Sequence, residues 1–294
     1  MIYYHSIEDI KNLAEEKQVP MWRIIMEKDM EERQVTEGET FEAMRAMYLA
    51  MKQADQSYNG ALSSPSGLAG GDGERLHAYN QTGNSLMGAY PSLVMEKAVK
   101  MGESNACMKR IVAAPTAGSC GVIPAVLLAY EEVFGEKEEK MVEALFLSAG
   151  IGEVIAENAS IAGAAGGCQA EIGSASAMAA AAIVYLQGGS HEAMIHATAL
   201  ALKNMLGLAC DPVCGLVEVP CIKRNAAGAV NAVSAAQMAL AGVRSAIPAD
   251  EVIDTMRRIG NEMPMDLKET GEGGLAVTET GKRLRTRFEA ENKN

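Results

Sequence analysis

Aromatic residues make up only 4% of this 294-residue chain although 48% of it is hydrophobic, so any core has to be built from Ala, Leu, Ile, Val and the 19 Met. Ala and Met favour helices, whereas strands draw on β-branched and aromatic side chains. No alternating strand run of convincing length and no internal repeat is present. The expected fold is therefore all-α, an Ala-, Gly- and Met-rich helical domain. The chain is also short of positive charge: a net charge of −12 excludes a general basic field for nucleic acid or an anionic membrane. Its one basic run, Lys282 to Arg287, reads as a solvated helix end. A long hydrophobic run is missing too. The most apolar stretch, Ala175 to Leu186, is far shorter than the roughly 20 residues that span a bilayer and reads as a buried helix. The first residues lack a basic segment followed by an apolar one, so the chain is read as cytoplasmic, without a signal peptide.

The expected organisation is a set of N-terminal helices over residues 1–56 and a helical catalytic domain over 57–294, together one continuous domain. Ile7, Ile10 and Leu13, then Trp22, Ile25 and Met26, then Phe41, Met44, Met47 and Met51 recur at helical spacing, with Ser6 and Thr40 as N-caps. Residues 57–88 are too rich in glycine and serine for a long regular element and form either a wall of the site or a connection. Helices are expected over 85–101, 122–134, 141–151, 154–165, 174–187, 191–206, 225–246 and 249–259, with a flexible turn at Gly271 to Ala276.

Only six cysteines are present, and in a reducing compartment they point to thiols or metal ligands rather than disulfides. Cys168, Cys210 and Cys221 each sit in a Gly- or Pro-containing segment at a break in the helical series: Gly166-Gly167-Cys168, Cys210-Asp211-Pro212 and Val219-Pro220-Cys221. If these three thiolates bind one [4Fe-4S] cluster, its fourth iron has no protein ligand and can act as a Lewis acid, which points to a lyase. Spacing alone does not exclude Cys214 as a ligand, while Cys107 and Cys120 read as small buried hydrophobes. Glu171, three residues after Cys168, is either a neighbour of the ligands or a helix-surface carboxylate. The turn Ala113 to Gly121, leading into an apolar helix, offers backbone N–H groups for a substrate carboxylate near Thr116, Gly118 and Ser119. Lys223 and Arg224 either hold a carboxylate or face solvent, and Asn225 is a polar contact or helix cap.

At these segments the chain resembles the alpha subunit of the iron–sulfur-dependent L-serine dehydratases (L-serine ammonia-lyases). The matching stretches are Ala113 to Pro124, Gly166 to Ala180, Cys210 to Gly228, Lys268-Glu269-Thr270 and Gly273 to Ala276, spread over most of residues 60–280. The long-then-short separation of Cys168, Cys210 and Cys221 is the one this family uses for its cluster ligands.

The resemblance implies an oxygen-sensitive [4Fe-4S] enzyme that converts L-serine to pyruvate and ammonia without pyridoxal phosphate. It also implies a mainly helical alpha chain and a separate beta subunit with a regulatory-type α/β fold. Single-chain relatives carry a C-terminal cysteine that can reach the open iron, whereas here no cysteine follows Cys221 and the sequence ends Glu289 to Asn294. The sequence does not identify the base that removes the α-proton: His5, His77, His191 and His196 lie outside the cysteine segments, and the beta subunit is one source. Two rival readings are elimination from L-cysteine or a related amino acid on the same cluster, and a non-catalytic zinc site made by Cys168, Cys210, Cys214 and Cys221.

Overall fold

Two reciprocal caps start the N-terminal helices. In this computed structural model, which describes residues 2–291, Ser6 opens α1 (Ile7–Lys17) by accepting the Asp9 N–H while the Asp9 carboxylate accepts the Ser6 N–H. After α2 (Met21–Arg33), Thr36 and Glu39 make the same exchange at the head of α3 (Glu37–Gln56). Thr40, expected to be a cap, instead lies buried inside α3, because only the earlier threonine has a glutamate three residues on that can reach back. Met1, and the last three residues of the cysteine-free C-terminal end, lie outside the described residues.

The series continues with α4 (Asp72–Gln81), α5 (Ala89–Ala106), α6 (Val122–Phe134), α7 (Glu138–Asn158), the single turn α8 (Gly163–Gly166), α9 (Ser174–Leu186), α10 (His191–Lys203), α11 (Cys221–Leu240), α12 (Ala249–Glu262) and α13 (Glu279–Glu291). Among the described residues extended pairing is limited to one isolated parallel bridge, Cys210 with Lys268, so the fold is all-α. Among the described residues no helix is long and apolar enough to cross a membrane.

α9 is the hub. Twelve of its thirteen residues are buried, and it packs against α6, α7, α10 and α11. Its Ala and Ser side chains leave room for backbones to approach: the Ser176 hydroxyl donates to the Gly228 carbonyl of α11 at 2.8 Å and accepts from Asn231 Nδ2 at 2.8 Å. On α7, a Cβ at Gly152 would lie 2.6 Å from Met178 Cε. Full burial of Ile183, Val184 and Leu186 contributes about 1.5–3 kcal/mol each, set against the entropy of ordering them.

The helix boundaries differ from expectation in three places that bear on the site. The helix expected over 141–151 and the first part of that expected over 154–165 are one helix, α7, because Gly152 is used for close packing instead of a break; the break comes after Asn158, before the single turn α8. The helix expected from Asn225 starts at Cys221, so one proposed ligand opens a helix where all three were expected in loops. The stretch 57–88 contains α4, and its irregular part is fastened down. Buried Ser64 and Ser66 donate to Glu218 at 2.8 and 2.6 Å, three residues before Cys221. Glu103 of α5 accepts from the Tyr58 hydroxyl and from the Asp72 and Gly73 N–H groups that open α4. The tail is a turn over Gly274–Val277 followed by α13, which carries the basic run and pairs Arg285 with Glu272.

Candidate functional site

The site begins where α8 ends. Gly167 takes a left-handed φ of 75°, and a Cβ there would meet Met263 Sδ at 2.6 Å, so glycine is required for the chain to turn into Cys168. The next residue, Gln169, is fully buried and bonds in three directions. Its N–H donates to Leu208 O at 3.0 Å, its Oε1 accepts from the Gly207 N–H at 2.9 Å, and its Nε2 donates to Met256 O of α12 at 3.0 Å. This clamp holds the segment before Cys210 against Cys168 and so closes a long sequence separation. Residues Gln169–Gly173 then form a π-turn, a feature often found at functional sites, which carries Glu171 beside Cys168.

Cys210 is fixed from its other side by the parallel bridge: its N–H donates to Leu267 O and its carbonyl accepts from the Glu269 N–H, both at 2.8 Å. Asp211 accepts from the Leu275 N–H at 2.8 Å and pairs with Arg224 at 2.9 Å, while Arg224 also donates to Ala209 O at 2.7 Å. Because Arg224 lies one turn into α11, these bonds bring the helix that starts at Cys221 against the segment that holds Cys210.

The sulfurs of Cys168 and Cys210 and a carboxylate oxygen of Glu171 all lie within 4.8 Å of one another, and all three residues are buried. The Cys210 thiol hydrogen-bonds the Cys168 sulfur, which holds Cys168 below its ordinary value despite burial, with help from the Arg224 charge. The same bond, joined by burial, keeps the proton on Cys210. Burial, together with the negative charge at Cys168 and Glu171, pushes the Cys221 thiol up to about 12. Glu171 is raised by burial and by the nearby Glu269 carboxylate, and is pulled partly back by the Thr116 hydroxyl, which donates to it at 2.7 Å.

Two glycines leave space here. A Cβ on Gly163 would lie 2.9 Å from Glu171 Oε2, 3.1 Å from Glu269 Oε2 and 3.2 Å from Cys210 Sγ, and one on Gly118 would lie 2.7 Å from Glu171 Oε1. Three buried thiols that feel one another's charge, in a wall free of side chains at Gly163 and Gly118, fit an iron–sulfur group better than an isolated hard cation.

The residues expected to bind substrate converge on the same place. Thr116 bonds Ser119, Oγ to Oγ at 3.0 Å, and faces Glu171. Asn225 donates to Gly118 O at 2.7 Å and Cys221 O at 3.0 Å, and accepts from the Gly121 N–H at 2.8 Å. It ties the turn before α6 to the start of α11, with both ends of its amide engaged. Lys223 pairs with Asp72 at 2.6 Å. Cys120, inside the turn, packs with Ala54 and Met101, and burial lifts its thiol to about 12. Cys214 is only half-buried and is not in the group that Cys168 and Cys210 form with Glu171. His5 and His77 face Glu157 and Glu96, His196 faces Glu192, and His191 opens α10, so no histidine belongs to the segments that form the site. Gly163, Gln169 and Glu269 are members that the sequence reading did not assign.

The family profile described as "Serine dehydratase alpha chain" matches residues 16–276. A probable L-serine dehydratase alpha chain of Bacillus subtilis is 49% identical over 281 residues, covering 96% of this chain and 94% of that protein. The L-serine dehydratase alpha chain of Peptoniphilus asaccharolyticus is 40% identical over 285 residues, covering 97% and 98%. An L-serine dehydratase of Escherichia coli is 46% identical over 182 residues, 61% of this chain and 40% of that longer protein. With the profile spanning most of the chain and the two alpha chains matched along nearly their whole length, this chain belongs to the serine dehydratase alpha chain family.

Proposed function

We propose that this chain is the catalytic alpha subunit of an iron–sulfur L-serine ammonia-lyase, which works with a separate beta subunit and converts L-serine to pyruvate and ammonia in the cytoplasm. The observation that carries the reading is the buried group of Cys168, Cys210 and Glu171, with Cys221 close enough to feel their charge, in a chain of this family. Cys168, Cys210 and Cys221 would hold a [4Fe-4S] cluster. Bound there, it would supply one iron without a protein thiolate, a Lewis acid that eases departure of the β-hydroxyl as hydroxide.

The chain's own residues supply the rest. The segments around Cys168, Cys210 and Cys221 are buried, which keeps bulk water from the reacting bond. Glu171 keeps its proton to higher pH than an ordinary carboxyl because it is buried, and it stands beside the thiols, so it is placed to pass a proton to the departing hydroxide. Thr116 aims it by its 2.7 Å bond, and Ser119 and Asn225 hold the loop that carries Thr116. With every histidine of the chain outside the site, the base for the α-proton is assigned to the beta subunit.

Anaerobic purification with and without the beta subunit, followed by pyruvate measurement from L-serine and L-cysteine, tests this. Serine turnover by the complex supports the reading. Turnover of L-cysteine alone transfers the site to β-elimination of a thiol, and no turnover of either by an iron-loaded complex overturns it.

A further inference from the structure

The Arg224 guanidinium reaches all three cysteine segments. It stands one turn into the helix that Cys221 opens, and its backbone N–H donates to Pro220 O at 3.1 Å. Its Nη1 donates to Ala209 O at 2.7 Å and lies 2.9 Å from Asp211, so it grips the residues on either side of Cys210. The same guanidinium hydrogen-bonds the Cys168 sulfur. Its charge is felt at Cys168 and again at Cys221.

The pairing with Asp211 is unusual in its geometry. Both side chains are largely buried, 19% and 8% exposed, where an ion pair is kept only if its hydrogen bonds are well made. Asp211 Oδ1 nevertheless makes no hydrogen bond, although Nη1 is 2.9 Å away. An arginine kept only to staple the fold would align its fork on the carboxylate. Here the carboxylate balances the charge, and the donors serve Ala209 O and the Cys168 sulfur. A thiolate that accepts an N–H bond gives less electron density to a metal, which favours the reduced state of an iron–sulfur group and sharpens its Lewis acidity.

We propose that Arg224 is a positioning residue that acts through Cys168: its guanidinium keeps the three ligand segments in register and sets the lifetime and reduction potential of the cluster they hold. The inference rests on the cluster of the proposed function. The sequence alone allows Arg224 to hold a carboxylate or to face solvent, and the geometry turns it to the ligands.

The test uses the anaerobically reconstituted alpha–beta complex. Arg224→Gln should shorten the life of the visible absorbance under an iron chelator about ten- to a hundred-fold. It should also make the cluster harder to reduce, by about ten-fold in the one-electron equilibrium, which is about 59 mV. The kcat for L-serine should fall with these, while KM stays within about two-fold. Arg224→Lys keeps the charge but not the planar fork, so it should fall between the unaltered complex and Arg224→Gln. Asp211→Asn weakens the fastening and leaves the guanidinium in place, so it should lower the melting temperature without making the cluster harder to reduce. Lifetime and potential unchanged in Arg224→Gln would overturn the inference. If that variant does not fold, Arg224→Lys decides, and values equal to the original overturn it. Equal loss of potential in Asp211→Asn would reduce Arg224 to a fastening of the fold, and a raised KM at unchanged potential would make it a substrate contact; either result overturns the proposal alone. An unaltered complex that binds no iron would remove the cluster reading itself.

Discussion

The Thr116 hydroxyl donates to a carboxylate oxygen of Glu171 at 2.7 Å, joining the turn before α6 to the π-turn that follows Cys168. Two stretches that the sequence reading treated separately, a substrate loop and a ligand segment, are thereby one unit. Thr116→Val leaves the buried carboxyl without that donor and should lower kcat for L-serine at least ten-fold at unchanged iron content, while Thr116→Ser should keep most of the rate. An unaltered kcat in Thr116→Val would show that this bond does not aim Glu171.

Gln169 is the residue on which the approach of Cys210 to Cys168 depends. Gln169→Leu removes two side-chain bonds and orphans the Gly207 N–H, while Met256 O keeps its bond within α12, which should destabilise the fold by about 2–4 kcal/mol. Urea unfolding reads this loss, and the same variant should take up iron more slowly. Stability within about 0.5 kcal/mol of the original would contradict the clamp.

Gly163→Ala tests the space in front of the thiols. Its methyl group would lie 2.9 Å from Glu171 Oε2 and 3.2 Å from Cys210 Sγ, so it should leave the helical circular dichroism unchanged while cutting both iron uptake and turnover. Full iron loading in this variant would mean that the group sits elsewhere.

How much of this was legible in the sequence follows from where the information lies. The all-α class could be read because aromatics are few and Ala and Met many, and α6 was bounded correctly by its glycines at either end. Cys168, Cys210 and Cys221 stood out through their Gly and Pro neighbours. Thr116, Ser119 and Asn225 could be read from the turn before an apolar helix and the segment after Cys221, but Gly163, Gln169 and Glu269 could not, because their roles depend on contacts distant in sequence. Gln169 is one glutamine among several until its bonds to Gly207 and Met256 are known, and Gly163 matters only because Glu171, Glu269 and Cys210 converge on it. The continuity of α7 was missed because Gly152 looks like a helix break and is instead a packing position against Met178.

Glu96 gives a pH prediction away from the site. Burial alone would raise its carboxyl, but Lys100 at 2.6 Å, Asn80 and His77 hold it below the ordinary value of 4.5. A folded-state value below the unfolded one adds stability that is present above the ordinary carboxylate range and is lost as pH falls through the folded value. Glu96→Gln should therefore lose about 1–3 kcal/mol at pH 7 in urea unfolding, with the difference shrinking as pH falls below about 4.5. An equal loss at pH 7 and pH 3.5 would show that the charge of Glu96 is not what stabilises this corner.

The most direct test of the central claim is iron and acid-labile sulfide per chain after anaerobic reconstitution, compared across single Cys→Ser variants. The account predicts about four iron in the unaltered chain and in the Cys107 and Cys214 variants, and loss of the cluster from each of the Cys168, Cys210 and Cys221 variants. Full iron in any of those three variants, or bound zinc with no iron in the unaltered chain, would contradict it.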